Sequence, residues 1–99
     1  MKKVTLQVKA EVGLHARPAA VFVQQANQFE SEINLRNVTA AGDWVDAKSI
    51  LSVLTLGVEQ DHEIELEVSG PDEAEAVEAL ASLVRSDFAE ASTRSWPAP

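Results

Sequence analysis

An α+β fold, one antiparallel sheet covered by helices on a single side, is what this 99-residue sequence predicts. Three observations carry that expectation. Four segments alternate apolar and polar residues with period two, and three others place apolar residues at helical spacing. The seven follow one another in the order βαββαβα. Each has a single apolar face, and two layers are the arrangement that buries all of those faces at once. The Lys, Gln and Glu residues that alternate with the apolar ones then lie on a sheet face open to water.

The first strand runs from Lys3 to Ala10, with Val4, Leu6, Val8 and Ala10 on its apolar side. Gly13 breaks the alternation within a loop from Glu11 to Leu14 that delivers His15. A helix is expected from Ala16 to about Gln28, its buried stripe formed by Ala19, Phe22, Val23 and Ala26, with Phe29 packing beneath its end. Glu32 to Asn37 reads as a second strand with Ile33 and Leu35 inward, and a turn through Ala40-Ala41-Gly42 leads to a short third strand near Trp44 and Val45. The second helix is expected to start at Ala47 or Lys48 and to stop before Gly57. It holds more apolar residues than one stripe needs, so part of it is expected at the surface. His62 to Ser69 alternates strictly, Ile64, Leu66 and Val68 against Glu63, Glu65 and Glu67. Gly70-Pro71-Asp72-Glu73 opens the last helix, with Pro71 in the first turn and Ala74, Val77, Leu80, Ala81, Val84 and Phe88 as its stripe. Residues 1–88 form one domain in this reading, and 89–99, with Trp96 among small residues and prolines, a frayed tail.

Composition narrows the function. The chain has no cysteine, which excludes disulfides, thiolate metal sites and cysteine nucleophiles. No continuous apolar run suggests a signal or a membrane span, so a cytoplasmic protein is expected. The net charge of −8 is uneven: residues 1–48 hold six basic and five acidic side chains, residues 49–99 two and eleven. Such a chain, lacking a basic stripe, is a poor nucleic-acid binder. Beyond His15 and His62 there is no further His and no Cys to complete a metal site, and no metal site or cofactor is expected.

The stretch Gly13-Leu14-His15-Ala16-Arg17-Pro18-Ala19-Ala20 carries chemistry. It puts a histidine at the mouth of a helix, where the first backbone N–H groups have no internal partner and favour an anion. Arg17 adds a fixed positive charge, and the amides of Ala16 and Arg17 are candidate donors to phosphate oxygens. Imidazole can carry a phosphoryl group. Roughly three quarters of an ordinary histidine is neutral at pH 7, so activating the nucleophile is a small gain. Holding three anionic oxygens is the larger one, since each charge-assisted hydrogen bond contributes about 1.5–3 kcal/mol. The plain alternative is a surface histidine near a helix start.

That octet resembles the active-site signature of the HPr family, the histidine-containing phosphocarriers of the bacterial phosphoenolpyruvate-dependent sugar phosphotransferase system. A second stretch, Asp46-Ala47-Lys48-Ser49-Ile50-Leu51-Ser52-Val53-Leu54-Thr55-Leu56-Gly57, is similar to the family's regulatory-serine segment, and the similarity covers roughly residues 3–86. The resemblance implies an open-faced two-layer sandwich with sheet order 1-4-2-3. It implies that His15 takes a phosphoryl group on Nδ1 from phosphorylated enzyme I and passes it to a sugar-specific enzyme IIA, with Arg17 steadying the group in transit. Such a protein is a carrier, not an enzyme, works without cofactor or metal, and is expected to be a monomer. Leu14, Phe22, Leu51 and Leu54 are expected to line a partner-docking patch, Leu51 in particular standing exposed beside His15.

Ser49 admits two readings: an ordinary helix cap, or, by the resemblance, the target of an HPr kinase/phosphorylase. Gln24 and Gln25 stand where the family often carries lysine, which weakens the expected electrostatic docking to enzyme I, and Ser52 replaces a common glycine. Two other functional classes compete. One is an HPr-fold regulatory protein that signals through His15 or Ser49 to a transcriptional regulator or a metabolic enzyme. The other is an unrelated ligand-binding α+β domain.

Overall fold

The computed structural model describes residues 1–9 and 16–86. The expected tail at 89–99 and Phe88 lie outside the described residues. In chain order the elements are β1 (Lys2–Gln7), α1 (Ala16–Ala26), β2 (Glu32–Asn37), β3 (Val45–Asp46), α2 (Ile50–Leu54), β4 (Glu63–Ser69) and α3 (Glu73–Arg85). The sheet order is β1-β4-β2-β3 and every pairing is antiparallel, as the α+β reading requires.

Register follows from the apolar alternation. Leu6 lies opposite Ile64 and Val4 opposite Leu66, while across the other edge of β4 Leu35 faces Leu66 and Ile33 faces Val68. A slip of one residue would turn this whole set toward water. Ile33, Leu35, Ile64, Leu66 and Val68 are buried and form one core with Ala19, Phe22, Val23 and Ala26 of α1, Val53 of α2, and Leu80, Leu83 and Val84 of α3. The other face of the sheet is polar. There Lys3 pairs with Glu67 at 3.6 Å, and Arg36 Nε donates to Glu65 Oε1 at 2.9 Å while its guanidinium lies 5.4 Å from the centre of the Trp44 ring. The acidic alternation of β4 is thus met by cross-strand cations, each exposed pair contributing about 0.2–1 kcal/mol.

Several boundaries differ from expectation. β1 ends at Gln7, short of the expected Ala10; Val8 and Lys9 are described but lie outside the strand, and Ala10 is outside the described residues. Helix α2 begins at Ile50, not at Ala47 or Lys48. The Ala47 amide extends the sheet by donating to Ile33 O, and Asp46 Oδ1 accepts from Lys48 N in a tight turn, so the chain is not free to coil until Ser49. Helix α1 stops at Ala26, because Asn27 Nδ2 donates to both Val23 O and Lys48 O and Lys48 Nζ to Phe29 O. Pro71 precedes the cap of α3 and is not in its first turn; Asp72 is the N-cap. The buried stripe of α3 is Ala76, Leu80, Ala81, Leu83 and Val84, with Val77 partly buried and Ala74 exposed. Ala74 is two residues from Ala76, about 200° around the helix, and so faces water.

Asp72 fixes that rotation. Its Oδ2 accepts from Glu30 N at 2.9 Å, and its Oδ1 accepts from Ser31 N at 3.0 Å and Ser31 Oγ at 2.5 Å, tying the start of α3 to the α1–β2 turn. Gly70 passes so close to this turn that a Cβ there would sit 2.6 Å from Ser31 Cα, which excludes any side chain. The Ser31 hydroxyl and the Glu30 amide hold the Asp72 carboxyl below its ordinary value of 3.8, and the Gly70 amide does the same for Glu73, ordinarily 4.5. Stability from these carboxylates is present above their ordinary values and is lost as pH falls through their lowered ones. Asp72→Asn is expected to lower Tm at neutral pH and to flatten the fall of Tm on acidification, read by circular dichroism melts from about pH 6 to about pH 2.

The β2–β3 turn carries a cost of its own. Ala41 sits at φ 55°, in the left-handed region that disfavours a Cβ. Ala41→Gly is expected to stabilise the fold by about 1 kcal/mol, measured by urea unfolding at unchanged m-value.

Candidate functional site

Helix α1 starts at Ala16, so the first turn of an eleven-residue helix follows directly on His15. Its leading N–H groups have no partner within the helix and carry the positive end of its dipole. Arg17 is exposed in that turn, and none of the ion pairs among the described residues engages it. Pro18 is the third helical residue, where its missing N–H costs nothing. His15 and Leu14 lie outside the described residues.

Phe22 corrects the sequence reading. It is 0% exposed and packs in the core with Ala19, Val23 and Ala26, so no partner can reach it. Its i, i+3, i+4 spacing with Ala19, Val23 and Ala26 already marked it as part of the inward stripe; the expectation of a docking role came with the family resemblance. A large aromatic ring on that stripe fills the space between helix and sheet.

Helix α2 packs beside α1 and against β3. Of its apolar residues, Val53 is buried and Ile50 packs partly against the core. Leu51 is 74% exposed and Leu54 38%. One turn of helix can point only part of its side chains at a neighbour, and here the surplus faces water beside α1. Ser49 is the N-cap, with extended backbone at φ −113° and ψ 116°, and its side chain accepts from Ser52 N at 3.3 Å. Its hydroxyl proton is not used by that cap. Among the described residues no group of three or more His, Asp or Glu is placed to hold a metal ion, and no helix is long and apolar enough to cross a membrane.

Sequence reasoning missed two polar ties that fix the site's surroundings. The first is the bracket of Asn27 and Lys48 described above, which binds the end of α1 to the residue before Ser49. Nothing in the periodicity marks it, because both contacts close on backbone carbonyls distant in sequence. The second centres on Asn37, fully buried on the inward face of β2. Its Nδ2 donates to Leu56 O at 3.2 Å and lies 3.1 Å from His62 Nδ1, and its Oδ1 accepts from Ala40 N at 3.1 Å. Here a signal existed: Asn37 continues the inward parity of Ile33 and Leu35, and an inward asparagine must find partners.

An open-faced α+β sandwich with α2, capped by Ser49 and carrying exposed leucines, packed beside α1 is the architecture of a class of small carrier and docking proteins. The chain belongs to the HPr family: a family model described as PTS HPr component phosphorylation site matches residues 2–86. It is 39% identical over 84 residues to the phosphocarrier protein HPr of Mycoplasma pneumoniae, covering 85% of this chain and 93% of that one. It is 43% identical over 82 residues to the HPr-like protein Crh of Bacillus subtilis, covering 83% and 93%. The crystal structure of HPr-C-His from Thermoanaerobacter tengcongensis superposes with a TM-score of 0.84 at 45% identity, over 90% of this chain and 97% of that one. The match to the multiphosphoryl transfer protein of Vibrio cholerae, 38% identical, spans only 22% of that longer protein. The fold matches these HPr structures, including the sheet order.

The core and surface assignments are separable by substitution. Phe22→Ala is expected to cost about 3–5 kcal/mol, and Leu51→Ala to stay within about 0.5 kcal/mol of the parent, both by urea unfolding.

Proposed function

We propose that His15 is the phosphoryl acceptor of a phosphotransferase-system carrier. In this reading the neutral ring attacks phosphorus on phosphorylated enzyme I; a P–N bond to His15 Nδ1 forms as the donor's bond to phosphorus breaks. The group then leaves to a histidine of a sugar-specific enzyme IIA, and His15 returns to its starting state. Arg17 and the amides of Ala16 and Arg17 hold the phosphoryl oxygens in transit, and no cofactor or metal is needed. The single observation that carries this is the octet 13–20 placed at the start of an eleven-residue helix, with Arg17 exposed in its first turn.

Leu51 and Leu54, together with Leu14, form the apolar part of the docking surface. Their exposure supports that role, and exposed leucines on a short helix have no packing reason to be there. Gln24 is exposed where the family often presents a lysine, so docking to enzyme I depends more on these apolar contacts than on charge. A phosphate on Ser49 adds about −2 of charge beside Leu51 and opposes docking. The likeness to Crh of Bacillus subtilis favours a second reading, in which phosphorylation of His15 or Ser49 signals to a transcriptional regulator.

Incubation with enzyme I and labelled phosphoenolpyruvate is expected to give acid-labile label on the parent protein and none on His15→Ala. Arg17→Ala is expected to slow transfer by about 10²-fold with unchanged Tm. Label retained in His15→Ala overturns the assignment. Label that passes to no enzyme IIA favours the second reading.

A further inference from the structure

We propose that His62 is a proton-operated latch on the connection between α2 and β4. The latch is independent of the phosphocarrier reading and is anchored at Asn37. Its two amide atoms have distinct duties: Oδ1 accepts from Ala40 N, and Nδ2 donates to Leu56 O. Exchanging them would set the amide NH₂ against Ala40 N–H and the carbonyl against Leu56 O, so the orientation is fixed. The atom that lies 3.1 Å from His62 Nδ1 is therefore a donor. A second donor, Glu59 N, reaches the same nitrogen at 3.2 Å. Two N–H groups aimed at Nδ1 require it to present a lone pair, so the ring is the neutral form with its proton on Nε2.

Adding a proton to Nδ1 sets an N–H against both donors. The ring then turns out or Asn37 turns away, and either movement frees groups that the latch holds. Asn37 is fully buried and cannot trade its partners for water without opening the structure. What opens first is the segment from Leu56 to Glu59, where Glu59 N loses its partner if the ring turns out and Leu56 O loses its partner if Asn37 turns away. Gly57 at φ 61° lies within that segment and Asp61 at φ 71° just beyond it, and α2 with its exposed leucines ends just before it.

Glu59, Asp61 and Glu63 are the charged groups on its own segment, and Lys9 beyond β1 lies 3.8 Å from Asp61 Oδ1. All three carboxylates are exposed, so water and salt screen their fields at the ring. Gln7 Nε2 is directed to Asp61 O and Thr39 Oγ1 accepts from Glu63 N, so neither offers the ring an acceptor. The two direct contacts at Nδ1 decide the outcome, and low pH releases the latch.

Imidazole nitrogen shifts of the parent protein at about pH 8 are expected to show the Nε2–H form. Amide protection factors at Glu59 and Ala40 are expected to fall about tenfold relative to Leu66 between about pH 8 and about pH 5. In His62→Gln, whose carbonyl accepts at any pH, that relative loss is expected to vanish. An Nδ1–H ring, or an equal pH response in the parent and in His62→Gln, overturns the proposal. Should the variant not fold, the tautomer and the parent's own exchange profile still decide it.

Discussion

The pairing of β4 with both β1 and β2 is the constraint on which this fold depends. β4 comes late in the chain yet sits between two strands formed from the first 37 residues, and its inward residues Ile64, Leu66 and Val68 form the floor onto which the helices pack. Until that strand is in place, β1 and β2 share no edge and the stripes of α1 and α3 have no surface to cover. Such long-range pairing is costly to close and is recovered only when the core forms as a unit.

With the sheet assembled, polar ties set the geometry that packing leaves loose. Asp72 joins α3 to the α1–β2 turn, Lys48 and Asn27 join the end of α1 to the residue before Ser49, and Asn37 joins β2 to the end of α2. Each closes on backbone groups that a turn would otherwise leave unsatisfied. Their combined result is that α1 and α2 lie side by side, with Arg17, Ser49, Leu51 and Leu54 on a surface held from beneath. A carrier that meets several partners benefits from such a surface, because little has to be ordered at each encounter.

Charge is distributed to match. The carboxylates of β4 lie on the sheet face away from the core, where Lys3 and Arg36 meet two of them, and the first turn of α1 holds an exposed arginine that joins no ion pair among the described residues, and no acid. Three carboxylates of the acidic half, Glu63, Glu65 and Glu67, are thereby placed on the open face of the sheet.

Period-two and period-3.6 patterns alone determined the element order, the inward residues of β2 and β4 and the stripe of α1, because a side chain's face depends only on its own spacing along the chain. The octet 13–20 likewise carried the resemblance to the family that the match over residues 2–86 bears out, since residue types in a fixed order suffice for it. Tertiary structure decided what spacing cannot. It took Phe22 off the docking surface, since sheet and helices cover its ring completely; it delayed α2 to Ile50, because the Ala47 amide is taken by Ile33 on another strand; and it turned Ala74 outward, because Asp72 anchors α3 to a loop some forty residues earlier. In each case the deciding partner is remote in sequence, and only the folded chain brings the two together.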